Sequence, residues 1–439
     1  MRQPGPVTAR ERDRIPMPVN DTMSAKLRRA AVAAAIVAAG FFAISMVSGL
    51  LYERAQRARD RERFPQAGRS VDIGGRALNI YCSGTGQPAV ILQRGAPWVG
   101  NDPRKMFENG VPRPGFGWVW IQRELAKTTT TCWYDRAGAG WSDLGPYPRD
   151  SASQARDLHA LLRATGVPPP YVLVAESSAA LDAHVYAGFY PVEVAGLVFV
   201  DGVHPDLLLD IRPGGRRLER FPRFVGHSQD TMAQLFNQIG LYRFVPDRPA
   251  PAPPPNGITA SEWDTIWRLS HSSKARSALM QEIGSWAQTT AEARTAGSLG
   301  DRPLLVLSSD NPATAAEYNV RMELQTDLAR LSTRGKLVSV DVSSGELIYQ
   351  APDAVIDAAR QVLDHVWHRP GNPSIANSAL ELPLHPGTTP PTLHRWRFVR
   401  GTSWGRIFPG RPPATLPPCL RRRPGRRYSA RPAALPAIA

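Results

Sequence analysis

The sequence predicts an α/β protein whose mostly parallel sheet is covered by helices on both faces. Short apolar runs, rich in β-branched residues, alternate along the chain with stretches of helical periodicity. These runs are apolar almost continuously rather than at every second residue, so the strands are expected to be buried on both faces, as in a parallel sheet. One further run, at 30–52, is uncharged over 23 residues and predicts a separate helix that precedes the sheet.

The uncharged run 30–52 predicts a single transmembrane helix. At ~1.5 Å per residue it gives about 34 Å of helix, enough to cross a hydrocarbon core of ~30 Å. A signal peptide is the alternative, but the run is long for one and no clear small-residue cleavage site follows it. We expect 1–29 to be a disordered polar segment, 30–52 an anchor in the lipid bilayer and 53–66 a charged juxtamembrane stalk. Basic residues flank the anchor evenly, so they do not decide its orientation.

The formal net charge of +15 lies almost entirely at the two ends of the chain. Residues 1–64 carry +6 and residues 369–439 carry +11, which leaves −2 for residues 65–368. A nearly neutral body offers no basic face, so we expect no nucleic-acid partner. The tail 369–439 is rich in Pro and Arg without any period, which predicts disorder; a shifted reading frame near the end of the gene would give a similar composition.

The predicted strands and helices follow one another in a regular order. Residues around Gly74–Gly75 predict a hairpin, and "SASQARDLHALLRATG" predicts a helix over 151–166 that starts at a Ser and stops at a Gly. The residues 204–300 are mostly helical and aromatic, and they interrupt the alternation. We expect them to form a lid over the carboxyl edge of the sheet. The other predicted strands lie within 89–97, 128–140, 171–177, 194–202, 302–310 and 336–345.

One turn in this order presents a serine. "YVLVAESSAALDAHVYAGFYP" (171–191) reads as a strand, a tight turn of small residues and a helix, with Ser177 at the apex. A serine forced into such a turn needs small residues two positions to either side, because the strand and the helix approach closely there. Ala175 and Ala179 meet that requirement.

The order of elements and three motifs resemble the α/β-hydrolase superfamily, in particular its bacterial members with a YDRAGxGWSD-type motif. The motifs are "YDRAGAGWSD" (134–143), "RGAP" (94–97) and "VLVAESSAALDAHVYAGFYPVEVAGLVFVDGVHP" (172–205). The resemblance extends from about residue 70 to 366 and implies an α/β-hydrolase domain at 67–368 with its lid at about 204–300. It implies a small-molecule substrate with an ester-like bond. We expect no cofactor, and no metal, since no ligand cluster recurs in the sequence.

The resemblance also assigns roles to individual residues. Ser177 would be the nucleophile, and the backbone amides of Ala96 and Ser178 would form the oxyanion hole. The orienting carboxylate would be Asp310 or Asp201, each at the end of a predicted strand. Members of the superfamily use one or the other of these positions, so both remain candidates.

The position of the catalytic base departs from the family. Where relatives have Ser-Gly-His, this chain has Ser344-Gly345-Glu346, and no histidine occurs between His271 and His365. A carboxylate with a pKa near ~4.3 is a weaker base than an imidazole near ~6.5. Two classes of function therefore stay open. One is a serine hydrolase with Glu346 in an incomplete triad. The other is a non-catalytic pseudohydrolase that binds a small apolar ligand or a protein partner.

Two cysteines are informative about the cellular compartment of the predicted hydrolase domain. Cys82 and Cys132 lie in predicted strands that the family's strand order places side by side, so a disulfide is one expectation and two buried free thiols are the other. A disulfide would indicate an oxidising compartment, and hence a hydrolase domain on the extracytoplasmic side of the membrane.

Overall fold

The computed structural model describes residues 21–96, 113–207, 231–232, 234–244, 255, 257–311, 315–343, 347–368 and 405–406. The strands are β1 (Arg69–Asp72), β2 (Ala77–Ser83), β3 (Ala89–Gln93), β4 (Thr131–Tyr134), β5 (Tyr171–Glu176), β6 (Val194–Val200), β7 (Leu304–Asn311), β8 (Gly335–Ser343) and β9 (Gly405–Arg406). The helices are α1 (Asp21–Arg63), α2 (Val119–Leu125), α3 (Ser151–Thr165), α4 (Ala179–Phe189), α5 (Ala260–Ser270), α6 (Ser273–Gly284), α7 (Trp286–Thr295), α8 (Ala315–Arg330), α9 (Leu347–Gln350) and α10 (Pro352–Trp367).

The strands form one sheet in the order β1-β2-β4-β3-β5-β6-β7-β8-β9. In this sheet, the two pairs that involve β2, with β1 and with β4, are antiparallel. The other six pairs are parallel. All residues of β3 and β5 are buried, which explains why these strands lack polar alternation in the sequence. The predicted α/β-hydrolase fold, with a mostly parallel sheet and helices on both faces, is confirmed.

Helices cover the sheet on both faces. On one face, Leu158 of α3 and Leu181 of α4 are buried in the same apolar cluster as Leu173 of β5. On the other, Ile121 of α2 and Val362 of α10 belong to a second cluster. The helices α3 and α10 each bury one periodic apolar face, which removes apolar surface from water, whereas α4 is buried on nearly all sides.

The helix predicted over 151–166 has an aspartate as its N-cap, not the serine that the sequence predicts. Asp150 is its N-cap, and its carboxylate accepts a hydrogen bond from the Ser153 amide at 2.8 Å. The expected serine start, Ser151, is instead the first helical residue. Asp and Ser cap about equally well, so the sequence alone does not choose between neighbouring candidates. Gly166 ends the helix in the left-handed conformation, as expected (φ 72°).

The N-terminal helix α1 is longer than the anchor that the sequence predicts. It runs unbroken from Asp21 to Arg63 over 43 residues, so the residues 21–29, expected to be disordered, are helical, and so is the stalk as far as Arg63. Flanking residues such as Ala, Arg and Lys have high helix propensity, and a helix once nucleated extends through them. By length and composition, α1 is the one helix in the described residues that could cross a membrane.

The ends of other predicted regions fall partly outside the described residues. Of the lid at 204–300, the structure describes α5, α6 and α7 together with 204–207, 231–232 and 234–244. Of the tail 369–439, it describes β9, which pairs with β8.

Cys82 and Cys132 stand opposite each other in the antiparallel pair β2–β4 and form a disulfide. Its 50-residue separation restricts the unfolded chain, and such cross-links stabilise proteins by about 2–4 kcal/mol.

We expect the double variant Cys82→Ser/Cys132→Ser to lose that amount in the free energy of unfolding, measured by urea denaturation of the full chain in detergent. Cys419→Ser is the matched control, with no loss expected. Equal stability of the two variants would contradict the prediction.

Candidate active site

Ser177 occupies a strained turn between β5 and α4. Its backbone φ is +54°, a region that L-residues with side chains rarely adopt, and its side chain is buried. Hydrogen bonds on both sides hold the turn: the Ser177 amide donates to the Val200 carbonyl at 3.0 Å, and the Ser177 carbonyl accepts from the Val203 amide at 3.0 Å. Backbone strain of this kind persists only where the surrounding structure enforces it, and the geometry is that of a nucleophile elbow.

The loop after β3 lies directly against this elbow. A Cβ atom built on Gly95 would come within 2.6 Å of the Ser178 amide nitrogen and the Glu176 carbonyl oxygen. Only glycine allows the two main chains to approach so closely. The approach brings Ala96 beside Ser177, as the predicted oxyanion hole requires.

Side chains of the elbow are hydrogen-bonded to the main chain of Ala96, which belongs to the predicted oxyanion hole. The Ala96 amide donates to the Ser178 hydroxyl at 2.9 Å, and the Ser177 hydroxyl donates to the Ala96 carbonyl at 2.7 Å. The structure therefore brings Ser177, Ser178 and Ala96 together, but the amide expected to bind an oxyanion is engaged by the Ser178 side chain. The family resemblance assigns a role only to the main chain of Ser178, not to its hydroxyl.

Removing the Ser178 hydroxyl is expected to free the Ala96 amide. A hydrogen bond of this kind is worth about 1 kcal/mol net, so Ser178→Ala should speed acylation of Ser177 by about fivefold. The measurement is the rate of labelling by a fluorophosphonate, with Ser178→Thr, which keeps a hydroxyl, as the control. Slower labelling of Ser178→Ala would contradict this competition.

The candidate acids lie at the ends of neighbouring strands. Asp201 follows β6 with φ +48°, and its Oδ1 accepts from the Ser309 amide at 2.8 Å and from Nη2 of Arg321 at 2.6 Å. This carboxylate is therefore engaged by a cation as well as by main chain. Asp310 lies in β7, next to β6 in the sheet, and its side chain is outside the described residues. Glu346 also lies outside them.

The described histidines point to other partners. Nε2 of His184 lies 2.7 Å from the Gly297 carbonyl, and burial lowers the pKa of this ring. Nδ1 of His204 accepts from the Asp206 amide at 3.1 Å. Three more rings contact the carbonyl four residues before them: His271, His365 and His368. In the described parts of the chain, no imidazole is hydrogen-bonded to the Ser177 hydroxyl.

A buried ion pair lies beside Ser177, and none of the sequence motifs predicts it. Nε of Arg94 lies 2.8 Å from Oε2 of Glu176, and Nη1 of Arg94 donates to the Tyr349 hydroxyl at 2.7 Å. Burial alone would lower the pKa of Arg94, but the charge of Glu176 and the contact with Tyr349 raise it above its usual value. One signal could have found the pair: an Arg and a Glu lie near the carboxyl ends of two apolar runs of the central sheet.

Residues of the "YDRAG" turn connect the elbow helix α4 to α6, which lies in the segment predicted to form the lid. Nη1 of Arg136 bonds Asp182 of α4 at 3.0 Å, and its Nη2 lies 3.0 Å from Glu282 of α6. The buried Asp135 carboxylate accepts from the amides of Gly115 at 2.6 Å and Trp141 at 2.9 Å. Both residues thus hold structure around the site.

This sheet, with a serine elbow at the carboxyl end of β5, has the α/β-hydrolase fold. A family model described as alpha/beta hydrolase fold matches residues 106–319, just under half of the chain. The match agrees with the fold that the motifs predicted.

Individual relatives are distant. "Uncharacterized protein YbdG" of Bacillus subtilis is 23% identical over 200 residues, which cover 46% of this chain and 55% of that protein. An "AB hydrolase superfamily protein" of Gibberella zeae is 30% identical over 132 residues, covering 28% of this chain and 41% of the relative. The chain thus spans about half the length of these two curated relatives. Among solved structures, an esterase from Thermogutta terrifontis is similar, with 18% identity, a TM-score of 0.46 and coverage of 69% of this chain and 99% of its own.

Proposed function

We propose that this chain is a membrane-anchored serine hydrolase of ester-like bonds. The observation that carries the proposal is Ser177 itself: a buried serine held at φ +54° at the carboxyl end of β5, with the Ala96 main chain 2.7 Å from its hydroxyl. A generic strand-to-helix turn has no need of this strain. The hydrolase fold around it supports the same class of reaction.

In the proposed reaction, Oγ of Ser177 attacks the carbonyl carbon of an ester and gives up its proton to a base. The tetrahedral oxyanion is stabilised by the amides of Ala96 and Ser178, which requires the Ser178 hydroxyl to turn away. The C–O bond of the ester then breaks, the alcohol leaves with a proton, and water hydrolyses the acyl-enzyme to release the acid. Glu346 has the sequence position of the base, with Asp310 or Asp201 as the orienting acid.

Two features support the proposed location. The residues 30–52 lie within α1 and would hold the protein in the lipid bilayer. The disulfide between Cys82 and Cys132 supports an extracytoplasmic hydrolase domain, because disulfides persist in oxidising compartments.

A non-catalytic binding protein is the second candidate, favoured by the state of the Ser177 hydroxyl. That hydroxyl donates its proton to the Ala96 carbonyl rather than to a base. A serine without a base is a poor nucleophile. Such a pseudohydrolase would use the same pocket for a small apolar ligand or a protein partner.

One experiment separates the two candidates. The full chain in detergent is incubated with a fluorophosphonate probe and, separately, with a short-chain aryl ester, beside Ser177→Ala and His204→Gln. The hydrolase proposal expects labelling and turnover that disappear in Ser177→Ala and persist in His204→Gln. A parent protein that neither labels nor turns over the ester would refute the hydrolase proposal and leave the binding function. Turnover that survives Ser177→Ala would refute Ser177 as the nucleophile.

A further inference from the structure

One face of α1 is covered by the rest of the protein, and the covered face starts inside the predicted membrane span. Residues of α1 with reduced exposure recur at three- and four-residue spacing, as expected for one side of a helix. They are Met46, Gly49, Leu50, Glu53, Gln56, Arg57 and Asp60. The first three belong to 30–52, so a part of the folded body lies beside the last turns of the anchor.

The covering element is the lid. A Cβ atom built on Gly49 would lie 2.8 Å from the carbonyl oxygen of Ile239, so the two backbones are in close contact. Gly49 precedes Glu53, the first charged residue after the span, by four residues, or about 6 Å along the helix axis. The main chain of the lid at Ile239 is therefore level with the end of the apolar span, not beyond it.

A group of ion pairs fixes this contact. Glu53 is almost completely buried, and its carboxylate accepts from Nε of Arg57 at 2.8 Å and from Nε of Arg243 at 2.5 Å. Arg243 also bonds Asp60 at 2.8 Å, and Nη2 of Arg57 donates to the Asn237 carbonyl at 3.2 Å. A buried carboxylate is tolerated only with such partners, so these bonds hold the lid segment 234–244 on successive turns of α1.

Apolar side chains are exposed at the same level. A Cβ atom on Gly240 would lie 3.0 Å from Oε2 of Glu53 and 3.5 Å from Cδ1 of Tyr52, and the next residue, Leu241, is 43% exposed. Leu51 and Tyr52 of α1 are exposed as well. Large apolar side chains and a tyrosine at the end of a membrane span are typical of the membrane–water interface.

We propose that the lid segment 234–244, held on α1 by Glu53, is a membrane-contacting surface whose Leu241 enters the interfacial layer of the bilayer. The partner is the lipid surface in which α1 itself is anchored. The inference rests on the proposed anchor function of 30–52 and is independent of catalysis. It makes the lid a fixed part of the membrane-bound surface rather than a cover facing bulk water.

Depth-dependent quenching tests this placement. In the full chain with Cys419→Ser, Leu241→Cys is labelled with an environment-sensitive fluorophore and reconstituted in phosphatidylcholine vesicles that carry a doxyl quencher near the headgroup. Val192→Cys is the matched control, since Val192 is 90% exposed and lies before β6, at the sheet end opposite to Ser177. We expect the probe at Leu241 to be quenched by about twofold or more, as for a group at interfacial depth, and the probe at Val192 to stay unquenched.

The outcomes distinguish failure of this inference from failure of the proposed anchor and of the proposed nucleophile. Vesicle flotation checks the anchor, and fluorophosphonate labelling checks the nucleophile. A chain that floats but shows equal quenching at Leu241 and Val192 overturns the inference and leaves the anchor intact, whereas a chain that does not float overturns both.

A second variant tests the role of the ion pairs. Arg243→Gln removes the bonds to Glu53 and Asp60, and it should reduce quenching at Leu241 toward the value at Val192. Unchanged quenching in Arg243→Gln would refute the proposed role of the ion pairs.

Discussion

Replacing Glu346 with histidine is expected to raise ester hydrolysis by about 10²-fold or more, because a positioned general base commonly contributes 10²–10⁴-fold. The structure already holds Ser177 in the elbow conformation, next to the Ala96 main chain. What the described residues lack is an imidazole bonded to its hydroxyl. The measurement is kcat/KM for a short-chain aryl ester with the full chain in detergent.

Two controls define what the Glu346→His result means. The same change combined with Ser177→Ala should stay inactive, since the new imidazole has no hydroxyl to activate. Glu346→Gln keeps the size of the side chain and removes its charge. If Glu346 serves as the base in the parent protein, Glu346→Gln loses the parent's activity; if it does not, the two proteins are equally active. A Glu346→His protein no faster than the parent would contradict the expected role of this position.

The main features of the fold were predictable because they depend on local sequence. The strands β3, β5 and β6 are apolar runs between turn residues, and the elbow is encoded by small residues around Ser177. The strand order came from family resemblance, and it is the register of β2 on β4 that sets Cys82 opposite Cys132. The sequence predicts a separate anchor and stalk, because it changes from apolar to charged residues at Glu53. The structure has a single helix, α1, because the charged residues also have high helix propensity.

The contacts around Ser177 were not predictable in the same way. Arg94 and Glu176 are 82 residues apart, and they meet only because β3 and β5 pair in parallel with Gln93 opposite Ala175. The Ser178 hydroxyl reaches the Ala96 amide for the same reason, through the close approach at Gly95. Such bonds depend on the register of distant strands, which the composition of neither segment reveals.

The buried pair beside the elbow should dominate the stability of the site. Arg94→Met leaves the Glu176 carboxylate buried without its cation, and breaking a buried pair from one side costs about 3–5 kcal/mol. Glu176→Gln should cost a similar amount, because it leaves the Arg94 guanidinium unpaired. The free energy of unfolding is measured by urea denaturation of the full chain in detergent, followed by circular dichroism.

The double variant and an exposed pair provide the controls. Arg94→Met/Glu176→Leu removes both charges, so its loss should be well below the sum of the two single losses, since neither side chain is left as an uncompensated ion. Arg330→Met breaks the exposed pair with Asp327 and should cost about 0–1 kcal/mol. If Arg94→Met destabilises the protein no more than Arg330→Met does, the pair is not what holds the loop after β3 against the elbow. The position of Ala96 beside Ser177 would then depend on Gly95 and on the hydrogen bonds of Ser177 and Ser178 alone.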